Sequence, residues 1–320
     1  MACNKITFII NPQAGNGLVK KEWAKIKPRA KNRLGNFSEY QTRGPGDASI
    51  LTKKAITSGS DLIVSVGGDG TLNEVINGFV NQDLSIHKDT LLGIVPFGTG
   101  CDFVKNILLP KSVDNLLDLM AARQTRLIDL GRIELMDHSG QKITRFFHNV
   151  TSFGLGGEVD ERVNNTTKFF GGFISFIWAT IVSVLYYEKK RISLYLDDQP
   201  GQDFNTWNIA VANGQYHGGG MWIAPQAVID DGWFDITVLG DFSLLEVFMN
   251  LSKLYKGTHL KLKKVKTFKA KKISAHSNQK VLLDVDGEQP GTLPITIEMV
   301  HNAIHIISPP DIPTVSPVTG

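Results

Sequence analysis

The sequence predicts two domains in tandem: an α/β domain on a parallel sheet over residues 1–128, and a mainly antiparallel β domain over residues 129–308, with a flexible tail at 309–320. Three observations predict it. Up to Leu127, short apolar runs alternate with helix-period segments, the pattern of strands joined by crossover helices. Beyond that point strand signals dominate, with few helices between them. The 320 residues are 42% hydrophobic and 20% charged, which is ordinary for a globular chain long enough for two domains.

Each element follows from its residues. Ile6–Ile10 is a short apolar run that turns at Asn11-Pro12, so it reads as a buried strand. A lysine-rich helix pattern follows over Leu18–Lys31, and Phe37–Thr42 alternates as a strand. Asp47–Thr57 is helical, Leu62–Val66 is a second buried strand, and Thr71–Val80 is a helix. Leu91–Val95 is a third buried strand, and Ser112 caps a helix that runs to Ala122. The second half offers strands at Arg132–Met136, Arg145–Phe153, Ile192–Leu196, Trp207–Ala212, Phe234–Leu239, Val281–Val285, Ile295–Val300 and Ile304–Ile307. His301-Asn302-Ala303 is expected as a hairpin turn. Ser243 and Glu246 have the spacing of a capping box and open an inserted helix. Four prolines and little apolar content mark the tail.

The net charge of +3 names no partner, and no nucleic-acid partner is expected. Cys3 and Cys101 are too few for a disulfide framework, which points to a reducing, cytoplasmic compartment. The N-terminus lacks the pattern of a secretory signal, because Lys5 interrupts it and Ile6–Ile10 is short. Phe169–Tyr187 carries nineteen residues without a charge, and length alone makes it a membrane-span candidate. Gly171, Gly172, Ser175, Thr180 and Ser183 dilute it, and strand-like segments flank it on both sides. An unusually apolar helix within a globular domain is the better account.

The strongest chemical signal is Gly67-Gly68-Asp69-Gly70-Thr71 with Asn73-Glu74, set between a buried strand and a helix. Glycines let the backbone approach a ligand closely, and the helix start offers free N–H groups and a positive dipole end. That combination holds phosphate. Asp69 would repel a bare phosphate but suits Mg²⁺ or a proton-accepting role. A plain strand–turn–helix corner is the bland alternative, with Thr71 and Glu74 as a local capping box. A second loop, Pro96-Phe97-Gly98-Thr99-Gly100-Cys101-Asp102, repeats the logic after the next strand. In a parallel sheet such loops and Asn11-Pro12 face one crevice. The Walker-type, dinucleotide-type and protein-kinase glycine motifs are absent. A third acidic constellation, Asp284-Val285-Asp286-Gly287-Glu288, reads equally as an acidic β-turn.

Assembled, these residues resemble the lipid kinase family of bacterial diacylglycerol kinases, sphingosine kinases and ceramide kinases, over Lys5 to about Ser308. The markers are Asn11-Pro12 with Gly15, Thr42, the Gly67–Glu74 motif, Pro96 with Gly98, Thr99 and Asp102, Asn213 with Gly218-Gly219-Gly220, Pro225 with Asp231-Gly232, and Asp286-Gly287-Glu288. The resemblance implies a nucleotide-binding domain similar to NAD kinases and phosphofructokinases, a β-sandwich domain, and an active site between them. It implies ATP and Mg²⁺ as cofactors and a lipid with a free hydroxyl as acceptor. By the same resemblance Asp286 is a favoured general base, Asp69 works with the metal or is itself the base, and Asp231 binds a structural Mg²⁺. Cys101 departs from the family, which usually has asparagine there.

The expected mechanism is positioning and charge neutralisation. Asn11, Pro12, Thr42, Gly67, Gly68, Gly70, Thr71, Glu74, Gly98, Thr99 and Glu288 are the candidate nucleotide-binding residues. Asp69 and Asp102 would organise Mg²⁺, and Asp286 would take the acceptor proton. Another small-molecule kinase would need a polar acceptor pocket, whereas a lipid kinase needs an apolar one. A non-catalytic nucleotide sensor could dispense with the three aspartates. Residues 256–272 hold eight lysines and no acid, with Leu260, Leu262, Val265 and Phe268 between them. They read either as peripheral contact with an anionic membrane or as a solvated strand edge. Homodimerisation is left open.

Overall fold

The computed structural model describes residues 5–98, 100–159 and 184–309. The chain divides into two compact units, one of residues up to Ile128 with the chain from Asn302 onward, the other Asp129–His301.

The first unit alternates strand and helix in chain order: β1 (Ile6–Ile10), α1 (Leu18–Leu34), β2 (Phe37–Gln41), α2 (Asp47–Thr57), β3 (Leu62–Gly67), α3 (Asp69–Gly78), β4 (Leu91–Pro96) and α4 (Val113–Ala122). Its strands are parallel and ordered β2-β1-β3-β4. β1 and β3 are buried at every residue, as parallel strands covered on both faces must be. On one face α1 packs Val19, Trp23, Ile26 and Ala30 into a core with Phe8, Ile10, Val64 and Val66. Phe8 lies between Trp23 and Phe37, with ring centroids 5.0 and 4.7 Å away.

The second unit is a β-sandwich. One sheet has the order β12 (Val265–Ala270), β11 (Phe234–Leu239), β10 (Asn208–Ala212), β7 (Val150–Gly154), β14 (Leu283–Val285), each neighbour antiparallel. The other carries β15 (Gly291–Ile307), β13 (Lys272–His276), β8 (Lys190–Leu196) and β9 (Gln202–Thr206). Beside β15 lies β5 (Thr125–Asp137), paired with β6 (Lys142–Phe147). Alternating residues of both sheets meet in one core, with Phe153, Ile209, Val211 and Ile236 from the first and Ile133, Ile192, Ile273 and Ile297 from the second. The helix α5 (Leu244–Tyr255) is inserted in it, and its capping box is formed as expected: Ser243 Oγ accepts from Glu246 N–H, and Glu246 accepts from Ser243 N–H.

Four local expectations are corrected. The hairpin at His301-Asn302-Ala303 does not form, because Ile295–Val300 and Ile304–Ile307 belong to the single strand β15. Asn302 takes a left-handed φ of 51°, which here bends the strand rather than reversing it. The residues before it pair with β13, and those after it pair in parallel with β4. Residues 302–308 therefore lie with the first unit. The single strand expected over Arg145–Phe153 is broken at His148-Asn149, where the chain leaves one sheet for the other. α3 begins at Asp69, so Thr71 lies inside it and caps nothing. Ser112 occupies the cap position of α4 without a side-chain bond. Among the described residues no helix is long and apolar enough to cross a membrane. Most of Phe169–Tyr187, and the tail beyond Pro309, lie outside the described residues.

Candidate functional site

In the first unit, the loops that leave β1, β2, β3 and β4 are stitched together. Asn11 N–H donates to the Val66 carbonyl at 3.0 Å, Thr42 N–H to Ile10 at 2.9 Å, and Phe97 N–H to Gly67 at 2.7 Å. Gly67 has no room for a side chain, because an added Cβ would stand 2.5 Å from Thr71 Oγ1. Gly98 is also close, though less tightly: its Cβ would lie 3.2 Å from the Gly68 Cα. Gly68 is the N-cap of α3, so the leading amides of that helix open onto this bare stretch of backbone. Asn11 Nδ2 donates to Thr71 Oγ1 at 2.9 Å and fixes the hydroxyl inside the first turn. Thr99 lies outside the described residues.

Asp69 joins the two glycine loops. Its Oδ2 accepts from Asp102 N–H at 3.2 Å and its Oδ1 from Phe103 N–H at 3.4 Å, at the start of a short 3₁₀ turn. Asp102 is buried and bonded to Lys105 Nζ at 2.6 Å. Cys101 stands beside both carboxylates. Burial first, then the charges of Asp69 and Asp102, push its thiol up to about 11. Two carboxylates and an open cradle suit Mg²⁺, which keeps several waters and takes one or two carboxylates plus phosphate oxygens. Cys101 also repairs part of its own departure, because its thiol donates to the Gly98 carbonyl at 3.6 Å. Glu74 points elsewhere. Its oxygens accept from Gly46 and Ala48 N–H at 2.8 and 3.0 Å, so it caps α2.

In the second unit, Val285–Glu288 is a tight turn, with Asp286 and Gly287 left-handed at φ 51° and 86°. Both central positions are positive, as in the type I′ hairpin turn that favours Asp-Gly. The Asp286 carboxylate reaches across to the break between β6 and β7. It accepts from the amides of His148, Asn149 and Val150 at 2.9, 3.1 and 3.0 Å, and it lies 2.6 Å from His148 Nδ1. Its side chain is 1% exposed. In this arrangement Asp286 holds a corner, and accepting a substrate proton requires giving up one of these bonds. Glu288 is paired with Arg145 at 2.6 Å. Asn213 is structural too, donating to the carbonyls of Asp129 and His148.

Sequence reasoning missed the chemistry around Asp284. This buried carboxylate lies 2.8 Å from His217 Nε2, accepts from Gly287 N–H at 2.8 Å and meets Ser152 Oγ at 3.4 Å. His217, Asn208 and Gly156 line a cavity of about 120 Å³ together with Glu246, Asn250 and His259, and the rest of its wall is apolar, with Trp207, Ile223, Phe242, Val247, Leu251 and Leu254. That volume is close to the ~150 Å³ of apolar cavities that stay dry and take benzene-sized ligands. Gly156 keeps the polar patch open, since a Cβ there would lie 2.3 Å from Ser152 Oγ. No local motif could have announced this, because the residues span positions 152 to 284.

Asp231, the residue expected to bind a structural Mg²⁺, stands beside a lysine in this structure. Lys269 Nζ stands 3.0 Å from Asp231 and 3.3 Å from Asp235, so an ammonium already neutralises the pair. The other Asp231 oxygen accepts from Trp233 N–H. Among the described residues no group of three or more His, Cys, Asp or Glu side chains gathers to hold a metal.

Two family models match. The diacylglycerol kinase catalytic domain matches residues 5–133, and the YegS C-terminal NAD kinase beta sandwich-like domain matches residues 149–308. A diacylglycerol kinase of Staphylococcus carnosus is 26% identical over 306 residues, covering 95% of each chain. One from Bacillus subtilis is 27% identical over 308 residues, covering 94% of this chain and 95% of its own. A crystal structure of a diacylglycerol kinase from Bacillus anthracis superimposes with a TM-score of 0.71 at 22% identity, covering 97% of this chain and 98% of the other. An NAD kinase from Archaeoglobus fulgidus in complex with ATP gives 0.53 at 13% identity, covering 95% and 93%. At these identities the structural likenesses speak to the fold alone.

Proposed function

Because the chain belongs to the diacylglycerol kinase family, carrying its catalytic domain and the β-sandwich domain, we propose that it transfers the γ-phosphoryl group of ATP to a hydroxyl of diacylglycerol or a closely related lipid. The observation that carries the lipid assignment is the cavity of the second unit. Its largely apolar wall suits a lipid, and its polar members, Asn208, Glu246, Asn250, His259 and His217 with Asp284 behind it, suit a hydroxyl. A nucleotide acceptor such as NAD would need polar partners over most of its surface, which this wall lacks.

In this proposal the amides at the start of α3 and around Gly98 hold the phosphates, within a loop framework set by Asn11, Pro12, Thr42, Gly67, Gly70 and Thr71. Asp69 and Asp102 are the proposed holders of Mg²⁺, which would neutralise phosphate charge. Asp69 also joins the two loops, so its loss removes both functions. Asp286 serves the reaction by fixing the corner at His148–Val150, from which β7 carries Ser152 to Asp284. Glu74 supports the cradle through α2, and any nucleotide contact by Glu288 shares its carboxylate with Arg145.

Leu251→Trp tests the cavity. The larger side chain fills it, so the KM for diacylglycerol should rise at least ~10-fold, about 1.4 kcal/mol, with the KM for ATP unchanged. Unchanged KM values for both substrates would remove the cavity as the acceptor site.

A further inference from the structure

The lysines of residues 256–272 account for little membrane attraction by themselves. Lys264 is paired with Glu246, Lys269 with Asp231 and Asp235, and Lys272 with Glu298. Lys266 lies over the ring of Phe204 and Lys271 over that of Trp233. β12 is the edge of its sheet, where lysines discourage unwanted pairing. The helix just before this run is different. α5 has no fully buried residue, although it is rich in large apolar side chains.

Two faces of α5 carry large apolar side chains, the inner one mixed with Glu246 and Asn250. Val247, Leu251 and Leu254, at helical spacing, line the cavity. Leu244, Leu245, Phe248, Met249 and Tyr255 fall on another face together with Ser252, and no charged residue shares that arc. They are exposed, Leu245 by 69% and Met249 by 70%. A water-facing helix surface normally carries charge, and contiguous exposed apolar patches mark interaction sites.

We propose that this outer face of α5 docks on an anionic bilayer, inserting Leu245, Phe248 and Met249 at the acyl boundary. Two observations select a bilayer as the occupant. The opposite face of the same helix lines the cavity, so insertion brings the cavity wall to the surface that holds an acyl-chain substrate. Exposed Lys256 follows the helix directly, exposed Lys263 comes after the next turn, and their charge complements anionic headgroups. The inference rests on the lipid-kinase assignment for its biological sense, but its test does not.

The test uses the full-length protein, vesicles of neutral phosphatidylcholine alone or mixed with anionic phosphatidylglycerol, and the variant Leu245→Ser/Met249→Ser. Neither residue lines the cavity. Wild type should sediment with the mixed vesicles, and the variant should lose roughly 10-fold or more of that partition, because two apolar side chains no longer leave water on docking. Turnover on a soluble short-chain diacylglycerol should be unchanged, which also reports that the variant is folded. In a second measurement, Leu245→Trp should shift its fluorescence to the blue on mixed vesicles and be quenched by brominated lipid. Unchanged partition in the double variant, or an unshifted tryptophan, overturns the proposal. So does a wild-type dimer that the double variant splits while vesicle binding survives, since the face would then be a contact between copies. If wild type binds vesicles through this face but phosphorylates no lipid, the kinase assignment fails and the docking surface stands.

Discussion

The role of Asp286 gives the sharpest mutational test. Its buried carboxylate accepts three successive backbone N–H bonds at 2.9–3.1 Å, at the corner where the chain changes sheets. Bonds to a charged acceptor contribute about 1.5–3 kcal/mol each, and a buried donor left unpaired costs about 1–3 kcal/mol. Asp286→Ala leaves all three amides buried and unpaired, and it also places alanine at a φ of 51°. It should destabilise the protein by about 4–6 kcal/mol, taking the lower end of those values because the bonds share one group. Asp286→Asn tolerates the left-handed φ and keeps one oxygen for Asn149 and Val150, but turns its NH₂ toward the His148 amide. About 2–3 kcal/mol is expected for it. Urea unfolding at pH 7.5 measures both, and turnover is followed in parallel. Lipid phosphorylation should survive better in Asn than in Ala, in the order of their stabilities. If both variants unfold within ~0.5 kcal/mol of wild type while turnover is abolished in each, the carboxylate serves chemistry directly and the positional account is wrong.

Three further outcomes follow. Gly67→Ala drives a Cβ into Thr71, which Asn11 holds, so ATP affinity measured by calorimetry should fall at least ~10-fold; an unchanged affinity would put the phosphates elsewhere. Burial holds His259 below its ordinary value, so the unfolded state takes up its proton first. That contribution to stability is complete above about pH 6.5 and is lost as pH falls from there through the lower folded value; His259→Gln should flatten the slope of stability against pH over this range, and identical slopes would refute it. Thermal unfolding without nucleotide should show no Mg²⁺ stabilisation that depends on Asp231, because Lys269 pairs with its carboxylate; a Mg²⁺-dependent rise in Tm that vanishes in Asp231→Ala would instead place a cation there.

The parallel sheet was legible because its strands are buried on both faces and read as continuous apolar runs, separated by helix-period segments. The glycine loops were legible because backbone approach needs glycine wherever it occurs. What escaped depends on partners distant in sequence. Thr71-x-x-Glu74 has the local form of a capping box, but Glu74 finds the start of α2 instead. Asn302 has the left-handed preference of a turn, yet β4 and β13 hold the strand on either side of it. Arg145–Phe153 reads as one strand because the carboxylate that breaks it comes from Asp286, more than a hundred residues later. The lysine run looks like one uncompensated charge, because the acids that pair with it lie outside the run. The cavity is invisible because a helix that lines a hollow has the same pattern as one that fills a core.

The lipid acceptor is tested most directly by incubating the protein with Mg²⁺ and ATP labelled in the γ-phosphate, over a panel of diacylglycerol, other hydroxyl-bearing lipids and NAD, followed by organic extraction. The label should enter the organic phase with diacylglycerol, and Asp69→Asn should abolish the transfer. Label confined to water-soluble products across the whole panel would contradict the assignment.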